Sequence, residues 1–115
     1  MQERKVILTW ESIYDVTEIA EYIEKDFGIE RADMFQIDIK ANMNKLGYLG
    51  GITGETSLLY RGYHIHKKLF LPSLIFYVVM NNINEIHVLR VLRAERDWKS
   101  ILQNVQKYTY LNDDL

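Results

Sequence analysis

The pentapeptide His64-Ile65-His66-Lys67-Lys68 puts two of the chain's three histidines beside two lysines. Residues 63–70 alternate in type with period two. In a strand this projects His64, His66 and Lys68 from one face, at steps of roughly 7 Å. An imidazole, with a reference pKa of about 6.5, can take a proton from a sugar hydroxyl. Ammonium and guanidinium groups can hold the charge that develops on a phosphoryl group. His64, His66, Lys68 and Arg93 are therefore the residues that could cleave an RNA phosphodiester without a metal. Arg61 precedes this strand and Lys67 lies on its opposite face. Arg90, Arg93 and Arg96 lie on or just after a later strand, and would join the imidazoles if the two strands were neighbours. The same residues on a solvent-facing strand are ordinary surface charge. His-x-His is also half of a metal pair, but His87 is the one histidine left, and no carboxylate is placed to complete a set. No metal or other cofactor is expected.

Other residues raise narrower questions. Arg90 sits among Val88, Leu89, Val91 and Leu92. A guanidinium in so apolar a run needs a partner, either a helix carboxylate or a ligand in a groove. Trp98 is expected in the core, since aromatic area is usually buried. Tyr108 and Tyr110 either pack on the sheet or meet a partner.

The elements that must position these groups follow from hydrophobic period. Residues 6–10 are short, apolar and partly β-branched, as in a buried strand. Thr9 or Ser12 can cap the helix that follows, and Ser12 with Asp15 resembles a capping box. Ile13, Val16, Ala20, Ile23 and Phe27 form one helical stripe and Gly28 stops it. Ala32, Phe35, Ile39, Met43 and Leu46 form a second stripe, ended by Gly47. The short join predicts an antiparallel helix hairpin. Residues 47–57 hold four glycines and read as a loop without the Lys-Ser/Thr ending of a phosphate-binding loop. Strands are expected over 63–70, 74–80 and 85–93, with turns at Pro72-Ser73 and at the asparagines 81, 82 and 84. On the last strand Ile86, Val88, Arg90 and Leu92 should share one face, and His87, Leu89, Val91 and Arg93 the other. A closing helix is expected over 94–105, then a docking segment or last strand over 108–111, and fraying over 112–115. The order β-α-α-β-β-β-α gives an α+β fold: a small antiparallel sheet, the hairpin packed on one face, and a short C-terminal helix.

With 115 residues the chain is expected to be a single domain, 1–115. It has no cysteine, which excludes disulfides, thiol catalysis and cysteine metal sites. Its longest apolar runs fall far short of the roughly 20 residues of a membrane helix. The N-terminus has no apolar leader, so a cytoplasmic location is expected. Net charge is −2, unevenly spread. Residues 1–57 carry six Lys and Arg against eleven Asp and Glu, while 58–115 carry eight against five. Such asymmetry marks either a surface for an anionic partner or ordinary solvated charge.

These features together resemble the RelE/ParE superfamily of type II toxin–antitoxin toxins. The resemblance rests on the strand leading into a helix hairpin, on Ile19-Ala20-Glu21-Tyr22-Ile23, and on Tyr63-His64-Ile65. It rests further on Leu74-Ile75-Phe76-Tyr77-Val78-Val79 as a central strand. Above all it rests on the run from His87 to Trp98, where Leu89-Arg90-Val91-Leu92 is followed by a basic stretch and Arg96-Asp97-Trp98. It implies a growth inhibitor of the plasmid-stabilisation kind, neutralised by a cognate antitoxin through which alone operator DNA would be met. Two actions occur in the superfamily: ribosome-dependent mRNA cleavage in the RelE-like branch, and inhibition of DNA gyrase by protein contact in the ParE-like branch. Relative to the RelE-like pattern, Leu74 stands at the third-strand arginine position. Ser100 and Ile101 stand where a tyrosine is found on the closing helix. The resemblance therefore leans ParE-like, with Arg61, Lys67, Arg90, Arg96, Trp98, Tyr108 and Tyr110 as contact residues. RelE-like cleavage is the alternative, and an inactive relative acting as a binding module is the second.

Overall fold

The computed structural model describes residues 3–48, 54–103 and 105–110. Strand β1 (Lys5–Leu8) leads into α1 (Trp10–Phe27) and α2 (Ile29–Lys45), closed by a 3₁₀ turn over Leu46–Tyr48. Four strands follow, β2 (Glu55–Tyr60), β3 (Tyr63–Phe70), β4 (Ser73–Met80) and β5 (Glu85–Arg93), and then α3 (Trp98–Gln103). The sheet order is β1-β5-β4-β3-β2. Every pair is antiparallel except β1 with β5, which is parallel.

Central strand β4 serves two cores at once because its side chains alternate. Ile75, Tyr77 and Val79 meet the helix hairpin, whereas Leu74, Phe76, Val78 and Met80 meet α3 and the segment 105–110. All five apolar positions of the second helical stripe are buried as expected: Ala32, Phe35, Ile39, Met43 and Leu46. Of the first stripe, Val16, Ala20 and Ile23 pack on the hairpin-side core as expected, and its two ends depart. Ser12, Ile19 and Ala20 are the buried residues of α1, while Ile13 is 37% and Phe27 62% exposed. The cause lies at the start of the helix. Thr9 is the N-cap, and its Oγ1 accepts from the Ser12 N–H at 3.0 Å. The Ser12 hydroxyl donates to the Thr9 carbonyl at 2.7 Å, so this polar position turns inward with its hydrogen bond made. Gly28, at φ 97°, ends α1 and lets α2 begin at once.

Two further departures are local. Residues 55–57, expected to end a loop, form edge strand β2 together with 58–60, and Arg61-Gly62 joins it to β3 with φ 52° and 85°. Both values are positive, as a two-residue turn of type I′ requires. At Gly54 (φ 77°) the backbone pairs with Lys67, whose carbonyl leaves no room for a Cβ. The closing helix is shorter than expected. Asp97 Oδ2 accepts from the Ser100 hydroxyl at 2.8 Å, which fixes the start of α3 at Trp98. The expected fraying of 112–115, the residue 111 and the loop residues 49–53 lie outside the described residues.

The face assignment on β5 also changes. Phe76 pairs with Arg90 and Tyr77 with Val88, so Leu89 is an extra residue, a β-bulge. Past it the alternation slips by one. Val91 joins Ile86 and Val88 in the hairpin-side core, and Leu92 joins Leu89 on the other side.

Candidate functional site

The register places His66 opposite Tyr77 and Lys68 opposite Ile75, so His64, His66 and Lys68 share the hairpin side of the sheet. Lys67, opposite Phe76, lies on the other side. The three residues differ in what they offer. His66 is 7% exposed, and its ring stacks on Tyr77 with centroids 5.4 Å apart. Burial there pushes the Tyr77 phenol above its ordinary range. His64 is exposed, and its Nδ1 lies 3.0 Å from the Thr56 carbonyl oxygen. A carbonyl only accepts, so Nδ1 carries the proton and Nε2 holds the lone pair in the neutral ring. The Glu55 carboxylate lies 3.9 Å from the same Nδ1. Lys68 is half-buried.

The later arginines do not join them. Strand β4 separates β3 from β5 by two strand spacings, about 10 Å. Arg90 makes a two-pronged ion pair with α1: Nε to Asp15 Oδ2 at 2.7 Å and Nη2 to Asp15 Oδ1 at 2.9 Å. Of the two partners the sequence left open, it has the helix carboxylate. That bond raises the Arg90 pKa further, against the opposing effect of burial. Arg93 pairs with Glu95 at 2.7 Å and lies 4.4 Å over the Tyr22 ring. Arg96 lines a small cleft with Asp15, Glu18 and Tyr22. Arg61, at the β2–β3 turn, sits 5.5 Å over the Tyr60 ring.

The other sheet side gathers a different set. Tyr108 is 2% exposed, edge-on to Tyr60 with centroids 5.1 Å apart, and its N–H donates to the Tyr60 hydroxyl. Burial pushes its phenol up to about 12, and nearby Arg90 pulls the other way. Trp98 packs on Phe76 at 5.3 Å. Lys67 lies 4.8 Å over the Trp98 ring and Lys99 lies 5.6 Å from its centre. Lys67 and Trp98, remote in sequence, are thus brought together, with Lys99 added by the turn of α3.

One cluster was not visible as such in the sequence. His87 Nε2 lies 2.8 Å from Glu85 Oε1, and its Nδ1 lies 2.9 Å from the Tyr110 hydroxyl. A carboxylate accepts, so Nε2 donates to it, and in the neutral ring Nδ1 accepts the Tyr110 proton. The period-two spacing of Glu85 and His87 was the available signal; nothing in the sequence pointed to Tyr110 as the third member. This set of bonds ties Tyr110 to β5, and Glu11 of α1, which accepts from the Thr109 N–H and hydroxyl at 2.9 and 3.0 Å, ties the same segment to the helix. Among the described residues no group of three His, Asp or Glu could hold a metal ion, and no helix is long and apolar enough to cross a membrane.

No protein-family model matches the chain, and no curated protein does. Its fold is shared with a chain of the solved chromosomal ParDE toxin–antitoxin system from P. aeruginosa. The TM-score is 0.69 at 18% sequence identity, over 81% of this chain and 98% of that one. The α+β fold implied by the RelE/ParE resemblance is the fold observed.

Proposed function

We propose that this chain is the toxin component of a type II toxin–antitoxin system. In this reading it is held inactive by a cognate antitoxin and, once released, arrests growth by protein contact with DNA gyrase. The observation that carries the proposal is the fold shared with nearly the whole of a ParDE chain. The placement of the basic groups favours contact over cleavage. A phosphodiester at His64 would find one accessible imidazole; His66 is enclosed against Tyr77, and Arg93 is engaged by Glu95 and Tyr22. General acid–base cleavage needs its proton donor, acceptor and charge stabiliser within one hydrogen-bonding radius of the reacting atoms.

The test is expression of the chain with and without the product of the adjacent small gene, followed by two assays on the purified protein. Growth arrest relieved by co-expression, with inhibition of gyrase supercoiling, is the expected outcome. Cuts at A-site codons in a ribosome-containing translation system, lost in a His64→Ala/His66→Ala/Lys68→Ala variant, would replace gyrase contact by RNA cleavage. Antitoxin binding without arrest, supercoiling inhibition or cuts would leave a binding module.

A further inference from the structure

We infer that Lys67 and Lys99, set around the Trp98 indole, form a contact for an acidic segment of a protein partner. Both ammonium groups lie within 5.6 Å of the same ring centre, so they are no more than about 10 Å apart. Among the described residues neither has a carboxylate partner, whereas Arg90 and Arg93 are neutralised by Asp15 and Glu95. The nearest acid in sequence, Asp97, is occupied by the Ser100 hydroxyl. The ring itself is fixed from behind by Phe76. Contact with a fixed indole restrains two side chains that would otherwise be mobile, which lowers the entropy lost when they bind. Carboxylates two apart on a strand or four apart on a helix stand about 6–7 Å from each other, a span this pair can meet.

A nucleic-acid strand fits less well. Single strands are held by open aromatic faces along a cationic track. Here the Trp98 ring is taken by Phe76 and the lysines, Tyr60 is buried, and the Tyr63 hydroxyl is held by Asn82. The acidic surplus of residues 1–57 also opposes a long polyanion. A short acidic protein segment needs only the local pair. The inference rests on the proposed toxin reading only in taking that partner to be the toxin's target.

The experiment is fluorescence anisotropy of the full chain with two labelled probes, an alternating Glu-Gly peptide of about a dozen residues and an oligouridylate of equal length. The peptide is expected to bind at low salt, about tenfold more weakly to Lys67→Gln/Lys99→Gln and unchanged to Lys25→Gln/Lys40→Gln on the hairpin. Lys67→Arg/Lys99→Arg should retain binding, which separates lost charge from lost folding. Trp98 emission should shift on peptide addition, and the shift should be absent in Trp98→Phe. Equal binding by the Gln variant, no binding by the parent chain, or tighter binding of oligouridylate would overturn the inference. None of these readouts uses growth or supercoiling, so failure here leaves the toxin reading to its own assays.

Discussion

Asp15 performs three tasks with two oxygens. It takes both prongs of Arg90, and its Oδ2 also accepts the Val91 N–H at 2.9 Å. Both charged side chains are largely shielded, 21% and 11% exposed for Arg90 and Asp15. Removing one partner strands the other charge and a backbone donor. Asp15→Ala should therefore cost about 3 kcal/mol in urea unfolding, and Asp15→Ala/Arg90→Met should recover the part due to the stranded charge while keeping about 1 kcal/mol of loss for the unpaired Val91 N–H. A double variant no more stable than the single one would show that the pair is not what holds this corner. Tyr108 shows the opposite balance. Its hydroxyl is buried without a partner among the described residues. Tyr108→Phe should thus hold or gain stability at pH 7, by up to about 1 kcal/mol. The raised phenol pKa gives a second signature. An exposed tyrosine ionises near 10 and folded Tyr108 near 12, so above pH 10 the unfolded chain releases a proton that the folded chain retains. The stabilisation from this group is complete below pH 10 and is lost as pH rises towards 12, by about 2 kcal/mol. The variant should lack that part of the alkaline decline. A parallel decline in both proteins, measured by denaturant titration at pH 9, 10 and 11, would remove Tyr108 as its source.

Elements meet where one stops and another must take over. β1 pairs with β5 only as far as Val88, and β5 continues to Arg93. Beyond that point the start of α1 completes the ladder. The Thr9 N–H reaches the Val88 carbonyl at 3.1 Å, Thr9 Oγ1 donates to the Leu89 carbonyl at 2.7 Å, and Asp15 takes the Val91 N–H. The bulge at Leu89 is thus paired through side chains. Thr9→Val keeps the shape but loses both the cap and the bond to the bulge. It should cost about 2–3 kcal/mol, and Thr9→Ser should cost under 1, as read from Tm and urea midpoints. Equal losses in the two variants would mean that the methyl contributes as much as the hydroxyl, and a harmless Thr9→Val would remove the hydroxyl bonds as a source of stability. This junction also explains which elements were legible beforehand. The stripe of α2 packs only on its apolar face, and its period alone located Phe35, Ile39 and Met43. In α1 the same period locates Val16, Ala20 and Ile23 but not the exposure of Ile13, because polar Ser12 and Asp15 take inward positions at the start of the helix and hydrophobic period does not register them. β2 carried a readable alternation at Thr56, Leu58 and Tyr60, but it was masked by the preceding glycines. The bulge depends on contacts between residues 80 apart, so no local pattern announced the slip of Val91 and Leu92. For the same reason the sequence showed that His64, His66 and Lys68 share a face, but not that β4 would separate them from Arg93.

At the scale of the molecule, one sheet carries two cores. Ile39 lies fully buried under the hairpin, and Tyr108 lies almost fully buried on the opposite side. Alternate residues of β4 feed both, so neither core can loosen without disturbing strands that the other needs. Such sharing favours a single cooperative transition. Truncating a large buried side chain on either face costs about 3 kcal/mol. For a domain of this size that lowers Tm by roughly 10 °C. Ile39→Ala and Tyr108→Ala should each produce that loss while keeping one transition, with far-UV and near-UV circular dichroism melting together. The two sites lie in separate core clusters with no residue in common, so the double variant should lose close to the sum. The segment carrying Tyr108 is the sensitive part of the comparison, because it is fastened by exposed or half-buried polar bonds through Glu11 and His87. If it were only a loosely laid strap, Tyr108→Ala would release it and leave the hairpin core intact. Near-UV signal would then fall well before far-UV signal. Coincident melting in all three variants would instead establish that the segment is part of the folding unit, and that any partner reaching the sheet on that side must bind it in place.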